Sequence, residues 1–126
     1  YCVDHGLVRS VDPDMGDKRG FILENAVFIA LRTMTETIHY YRTKSGNEVD
    51  FVWQDRAGAK HLVQVAFDIG EERTKNRELR ALEEAMRELR LDRGTVVTYS
   101  REGTYPCSAG IIDIVPAWKF CMRNTF

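Results

Sequence analysis

Two short segments decide how this chain is read: Glu48-Val49-Asp50-Phe51-Val52-Trp53 and His61-Leu62-Val63-Gln64-Val65-Ala66-Phe67-Asp68. Both have the apolar, β-branched and aromatic character of strands, and both carry polar side chains where a half-buried strand has little use for them. Side chains alternate faces along a strand. Glu48, Asp50 and Val52 therefore share one face of the first segment, and Val49, Phe51 and Trp53 the other. In the second, Gln64, Ala66 and Asp68 lie opposite Val63, Val65 and Phe67. Joined as a hairpin, the segments bring Asp50 and Gln64 near each other.

Working outward, residues 37–43 (TIHYYRT) read as a further strand. Lys44-Ser45-Gly46-Asn47 is a tight turn, and residues 55–60, with Gly58, a second. Strands over 37–43, 48–54 and 61–68 then form an antiparallel meander. Upstream, Asp12-Pro13-Asp14 and Gly16-Asp17 mark residues 10–19 as a loop. Residues 20–34 are apolar almost all round and predict a helix buried on more than one side.

Downstream, residues 69–73 lead into a long helix with Thr74 as its N-cap. Leu79, Leu82, Met86 and Leu89 make its inward stripe, and Glu83 and Arg87 form an i, i+4 pair. Gly94 closes it. Residues 95–99 are a fourth strand, 100–108 a polar loop, and 111–115 a fifth strand that ends at Pro116. Residues 117–121 are a terminal turn anchored by Trp118. The order is helix, three-strand meander, helix, strand, strand. That is an α/β chain with a mixed β-sheet flanked by helices.

At 126 residues the chain is one domain with room for a core. Its opening at Tyr1, mid-pattern, reads as a piece of a longer protein, with any targeting signal outside it. Eighteen basic and 19 acidic side chains leave a net charge of -1, so no electrostatic footprint for nucleic acid exists at the whole-chain level. Cys2, Cys107 and Cys121 make no CxxC pair, and reduced, cytoplasmic thiols are the simplest reading. No apolar run reaches the length of about 18 residues that spans a membrane. His5, His39 and His61 lack zinc-site spacing, and no GxSxG nucleophile motif occurs.

The order of elements and acids resembles the PD-(D/E)xK nuclease-like fold, with its restriction-endonuclease-like core. Closer still, it resembles the C-terminal domain of a family of prokaryotic AAA-type ATPases. Tyr1, Asp4 and Gly6-Leu7 match that family's opening, and Gly20, Glu24-Asn25 and Phe28 its first helix. Gly46 and Glu48-Val49-Asp50-Phe51-Val52 match the second strand, and Leu62-Val63-Gln64-Val65 the third. Thr74, Arg77-Glu78 and Leu82 match the second helix, and Ile114-Val115-Pro116 with Trp118 the close. The resemblance implies an N-terminal ATP-binding module as a partner. The chain itself has no GxxxxGK[ST] loop, so ATP belongs to that module.

In the resembled fold, a helix carboxylate and two strand carboxylates gather Mg²⁺, and a lysine two residues after the last acid stabilises developing charge. Glu24 matches the helix acid and Asp50 the central strand acid. Gln64 stands where the third acid belongs, and Ala66 where the lysine belongs. Two readings are open for Glu24: a site residue beside Val27, Phe28 and Leu31, or an acid near a helix start satisfying the dipole. Two are open for Asp50: a site residue, or a solvent-facing position on a one-sided strand. Arg73, Lys75 and Arg77 are substitute cations or a solvated face; Glu48 and Asp68 extend the acidic cluster or are merely exposed.

The expectation is an accessory domain with a degenerate site that serves binding or regulation. The alternative is a Mg-dependent phosphodiesterase using Glu24, Asp50 and Gln64, with the Val65 carbonyl as a further metal ligand. The accessory reading takes the ATPase module or a nucleic acid as its partner.

Overall fold

The computed structural model describes residues 15–35, 37–70 and 72–123. Tyr1, Asp4, Gly6 and Leu7, with Cys2 and His5, lie outside that set.

The expected meander forms. Strands β1 (Ile38–Arg42), β2 (Glu48–Gln54) and β3 (Lys60–Val65) are antiparallel neighbours. Gly46 and Gly58 stand in its two turns at φ +97° and +90°, where a side chain would be strained. Their N–H groups donate to the Thr43 and Asp55 carbonyls, each at 3.0 Å. β3 ends three residues short of Asp68. Even so, Ala66 N–H still donates to the Val97 carbonyl at 3.0 Å, and Tyr99 N–H to the Phe67 carbonyl at 3.1 Å.

Helix α1 (Met15–Arg32) starts inside the expected loop. Gly16 and Asp17 fall in its first turn, where N–H groups have no intrahelical acceptor and turn-forming residues are tolerated. It buries Leu23, Val27 and Leu31, but Phe21 and Ile29 remain exposed, so its burial is more one-sided than its sequence suggested.

Helix α2 (Glu72–Leu89) begins two residues ahead of Thr74, so Thr74 is not its N-cap. It ends before Gly94. Arg90 adopts φ +58°, Leu91 N–H donates to the Met86 carbonyl at 2.8 Å, and Arg90 N–H to the Arg87 carbonyl at 3.2 Å. This is a left-handed C-cap built on arginine. Gly94 belongs instead to β4 (Arg93–Thr98), where a Cβ would meet Met86 Sδ at 3.0 Å and Leu82 at 3.1 Å. Glycine there lets the strand lie close under the helix.

The polar stretch 100–108 contains a strand, β5 (Gly103–Cys107), which pairs antiparallel with β6 (Gly110–Pro116). The predicted order thus lacked one strand. The closing segment is a helix, α3 (Ala117–Arg123), and its anchor is Phe120; Trp118 is 62% exposed.

The sheet runs β1-β2-β3-β4-β6-β5, with β3–β4 and β4–β6 parallel and the other pairs antiparallel. One face packs on α2: Leu79, Leu82, Ala85 and Met86 meet Val49, Leu62, Val96 and Ile112. The other packs on α1 and α3: Val27, Leu31 and Phe120 meet Phe51, Val63, Val97 and Val115. Neighbours such as Leu62/Val63 and Val96/Val97 divide between the faces, as strand alternation requires. Each fully buried side chain of this kind contributes about 1.5–3 kcal/mol. The result is the mixed α/β sheet flanked by helices that the element order implied. Among the described residues, no helix is long and apolar enough to cross a membrane.

Candidate functional site

The register of β1 on β2 slips at Asp50. Tyr41 pairs with Val49, yet His39 pairs with Val52. Asp50 and Phe51 therefore stand together opposite Tyr40. The expected alternation breaks here: Val49 and Val52 both pack on the α2 side, and Phe51 on the α1 side. Such a bulge re-aims a side chain, and the residue it re-aims is an acid.

The β2–β3 hairpin opens at the same point, beyond the Phe51–Val63 pair. Side chains take over from the ladder. Asp50 N–H donates to Gln64 Oε1 at 2.9 Å, and Val65 N–H donates to Asp50 Oδ2 at 2.8 Å. Gln64 Nε2 donates to the Glu78 carboxylate, and to the Glu48 carbonyl at 3.4 Å. Gln64 is 5% exposed, so each of these bonds matters. Only an amide fills this position, accepting from one neighbour while donating to two others. A carboxylate could accept from Asp50 N–H but would face Glu78 with no proton to offer.

These residues border a cleft of about 450 Å³. α1 contributes Glu24, the β1–β2 turn Gly46 and Asn47, β2 Glu48 and Asp50, β3 Gln64 and Val65, and α2 Arg77 and Glu78. Glu24 lies well inside α1, which removes the helix-start reading. Asp50 is partly buried and hydrogen-bonded, which removes the plain solvent-facing one. Glu48 accepts from the Tyr40 hydroxyl at 2.7 Å, and Arg77 Nη2 donates to Glu78 at 3.2 Å.

Burial is the main influence on Asp50, and the negative charge of Glu24 the next. With smaller contributions from Glu78 and Glu48, they push its carboxyl up to about 7, against the opposing Val65 N–H. Near neutral pH this acid holds a proton far more readily than an ordinary aspartate.

The cleft wall is held by a second polar network. Glu84 accepts from the Ser45 hydroxyl at 2.7 Å, Asn47 Nδ2 at 2.7 Å and the Thr43 hydroxyl at 2.9 Å. Those donors, Ser45 foremost, hold the Glu84 carboxyl below its ordinary range. Glu88 accepts from the Tyr41 hydroxyl at 2.7 Å and Lys44 N–H at 3.0 Å. The turn is thereby pinned to α2.

Other candidates lie elsewhere. Ala66 packs in the α2-side core at 7% exposure. Asp68 pairs with Arg101 at 2.7 Å and accepts Gly70 N–H at 2.8 Å, away from the cleft. Lys75 sits 5.7 Å from the Tyr105 ring centroid, and Arg73 does not line the cleft. His61 pairs with Asp55 at 2.9 Å and stacks on Trp53. Cys107 and Cys121 are free thiols. Among the described residues, no three His, Cys, Asp or Glu side chains draw close enough to hold a metal ion.

Sequence reasoning missed Glu78 as a site residue. Its signal was present: Glu78 stands four residues before Leu82, on the edge of the inward stripe of α2.

No solved structure matches the chain. The chain is 36% identical over 114 residues to Uncharacterized protein MJ1544 of Methanocaldococcus jannaschii, a match covering 82% of this chain and 25% of the relative. It thus spans about a quarter of the length of that curated relative. The family described as Domain of unknown function (DUF4143) matches residues 19–120, from α1 through β6 into α3, and the chain belongs to that family.

Proposed function

We propose that this domain is a degenerate, restriction-endonuclease-like accessory domain, non-catalytic, that serves binding or regulation as the C-terminal part of an AAA-type ATPase. One observation carries the reading. The residue in the third acid's place, Gln64, has its oxygen committed to Asp50 N–H and its nitrogen to Glu78 and Glu48. The position acts as a brace. The lysine's place holds Ala66, buried under α2, and the Asp50 carboxyl is raised to about 7. An active phosphodiesterase needs hard anionic ligands and a cation at those points. The relative's greater length leaves room for an ATP-binding module, which would be the partner and the place of the ATP.

A metal-dependent nuclease is the second reading. It is favoured by Glu24, Asp50 and Glu78 all lining one cleft. Glu24 and Asp50 would then hold Mg²⁺ with Gln64 and the Val65 carbonyl, and the ion would activate water. Calorimetric titration with Mg²⁺ and Mn²⁺ separates the two. No heat of binding at millimolar metal supports the accessory reading. Saturable binding lost in Asp50→Ala supports the enzyme.

A further inference from the structure

A second cavity lies on the other flank of α1, at the C-terminal ends of the parallel strands β3 and β4. It measures about 490 Å³ and is lined by Arg19, Ile22, Leu23, Ala26, Phe67 and Tyr99. Cavities of roughly 300–1,000 Å³ suit small-molecule groups, and in α/β sheets ligands gather beyond the carboxyl ends of parallel strands.

Its aromatic wall is held in place. Phe67 and Tyr99 stack with ring centroids 5.0 Å apart and planes 20° apart, and Tyr99 N–H donates to the Phe67 carbonyl at 3.1 Å. Tyr99 is nevertheless 61% exposed, so much of its ring surface is left for another partner. The Arg19 guanidinium lies 5.7 Å from the Phe67 centroid and makes no ion pair among the described residues. The nearby acid Asp68 is already neutralised by Arg101 at 2.7 Å. Apolar walls, a stacked ring with exposed surface and a guanidinium with no ion pair among the described residues complement a flat aromatic group that carries an anion.

We propose that this cavity binds a nucleotide, its base stacked on Tyr99 and its phosphate at Arg19. Among the described residues the walls carry no set of donors and acceptors that could read base edges, so binding is tolerant of base identity, as on other stacking platforms. The site shares no lining residue with the acidic cleft, and its test leaves Asp50 untouched.

The test is fluorescence anisotropy of a labelled oligothymidylate of about eight nucleotides with the 126-residue chain at low salt, with thymidine monophosphate as competitor. Tyr99→Ala should weaken binding by about ten-fold, since stacking is worth ~1–3 kcal/mol per base. Tyr99→Phe, which keeps the ring, should bind as the parent does. Arg19→Ala should flatten the salt dependence by about one phosphate contact. Competition at equal nucleotide concentration assigns the free nucleotide as ligand; weak competition assigns the strand. Absence of saturable binding, or a Tyr99→Ala variant that keeps its melting curve and binds unchanged, overturns the proposal.

Discussion

Gln64 Oε1 accepts the backbone N–H of Asp50 at 2.9 Å where the β2–β3 hairpin parts. The acid replies by accepting from the residue after Gln64, since Val65 N–H donates to Asp50 Oδ2 at 2.8 Å. Each side chain thereby satisfies a backbone donor that the opened ladder leaves unpaired. Gln64, bonded to Glu48, Asp50 and Glu78, is a strut between β2, β3 and α2.

Restoring the acid should therefore harm the fold before it helps any chemistry. Gln64→Glu removes both donors and sets a carboxylate against Glu78 and Asp50. We expect a loss of about 2–4 kcal/mol at pH 8, from an unpaired buried charge and lost bonds. Millimolar Mg²⁺ should recover part of the loss in this variant and leave the parent unmoved. Thermal melts with and without the metal check it; an unchanged melting temperature for Gln64→Glu would contradict the brace.

Asp50 should give the chain an inverted carboxylate signature. Its carboxyl is raised from an ordinary 3.8 to about 7, so the folded state holds the proton more tightly than the unfolded state. The stabilisation is complete below about pH 4 and is lost as pH rises through about 7. The loss is on the order of 4 kcal/mol. Glu84, Asp55 and Asp68, all lowered, act oppositely and lose their contribution as pH falls through their lowered pKa values. Asp50→Asn can still accept from Val65 N–H, so its advantage over the parent should grow from pH 5 to pH 8. Parallel stability curves for the two proteins would refute the assignment.

A lysine at position 66 should not be tolerated. Ala66 is 7% exposed and packs in the α2-side core. Ala66→Lys buries an ammonium without a partner and should cost about 3–5 kcal/mol in denaturant unfolding. Nuclease activity in a stably folded Ala66→Lys chain would show that the position opens to the cleft after all.

Two glycines with positive φ should differ sharply. At Gly110, φ is +150° and an added Cβ would lie 2.1 Å from the Asp92 carbonyl oxygen. Gly110→Ala should cost about 2–4 kcal/mol. At Gly46, φ is +97° but nothing lies within 4 Å of the added atom, so Gly46→Ala should cost only about 1 kcal/mol. Equal losses in urea melts would be inconsistent with these geometries.

What was legible in the sequence is what local pattern controls. The meander follows from β-rich runs separated by glycine turns, and the inward face of α2 from the Leu79, Leu82, Met86, Leu89 stripe. That Glu24 and Asp50 border one cleft is an implication of the resemblance, not of local pattern. Each miss has its own physical cause. β5 hides in a polar stretch with Pro106 because an edge strand tolerates proline and turn residues. The bulge at Asp50 exists only in the pairing with β1, and alternation within β2 could not reveal it. Arg90 takes the left-handed cap that Gly94 seemed to offer, while Gly94 serves strand–helix packing. Glu78 became a site residue only when α2 was laid across the sheet.

The central proposal is that the cleft braced by Gln64 is non-catalytic. The most direct measurement is cleavage of single- and double-stranded DNA and RNA by the purified chain with Mg²⁺ and with Mn²⁺, beside Asp50→Ala. The account predicts no cleavage above background by either protein. Metal-dependent cleavage by the parent that disappears in a folded Asp50→Ala variant would contradict it.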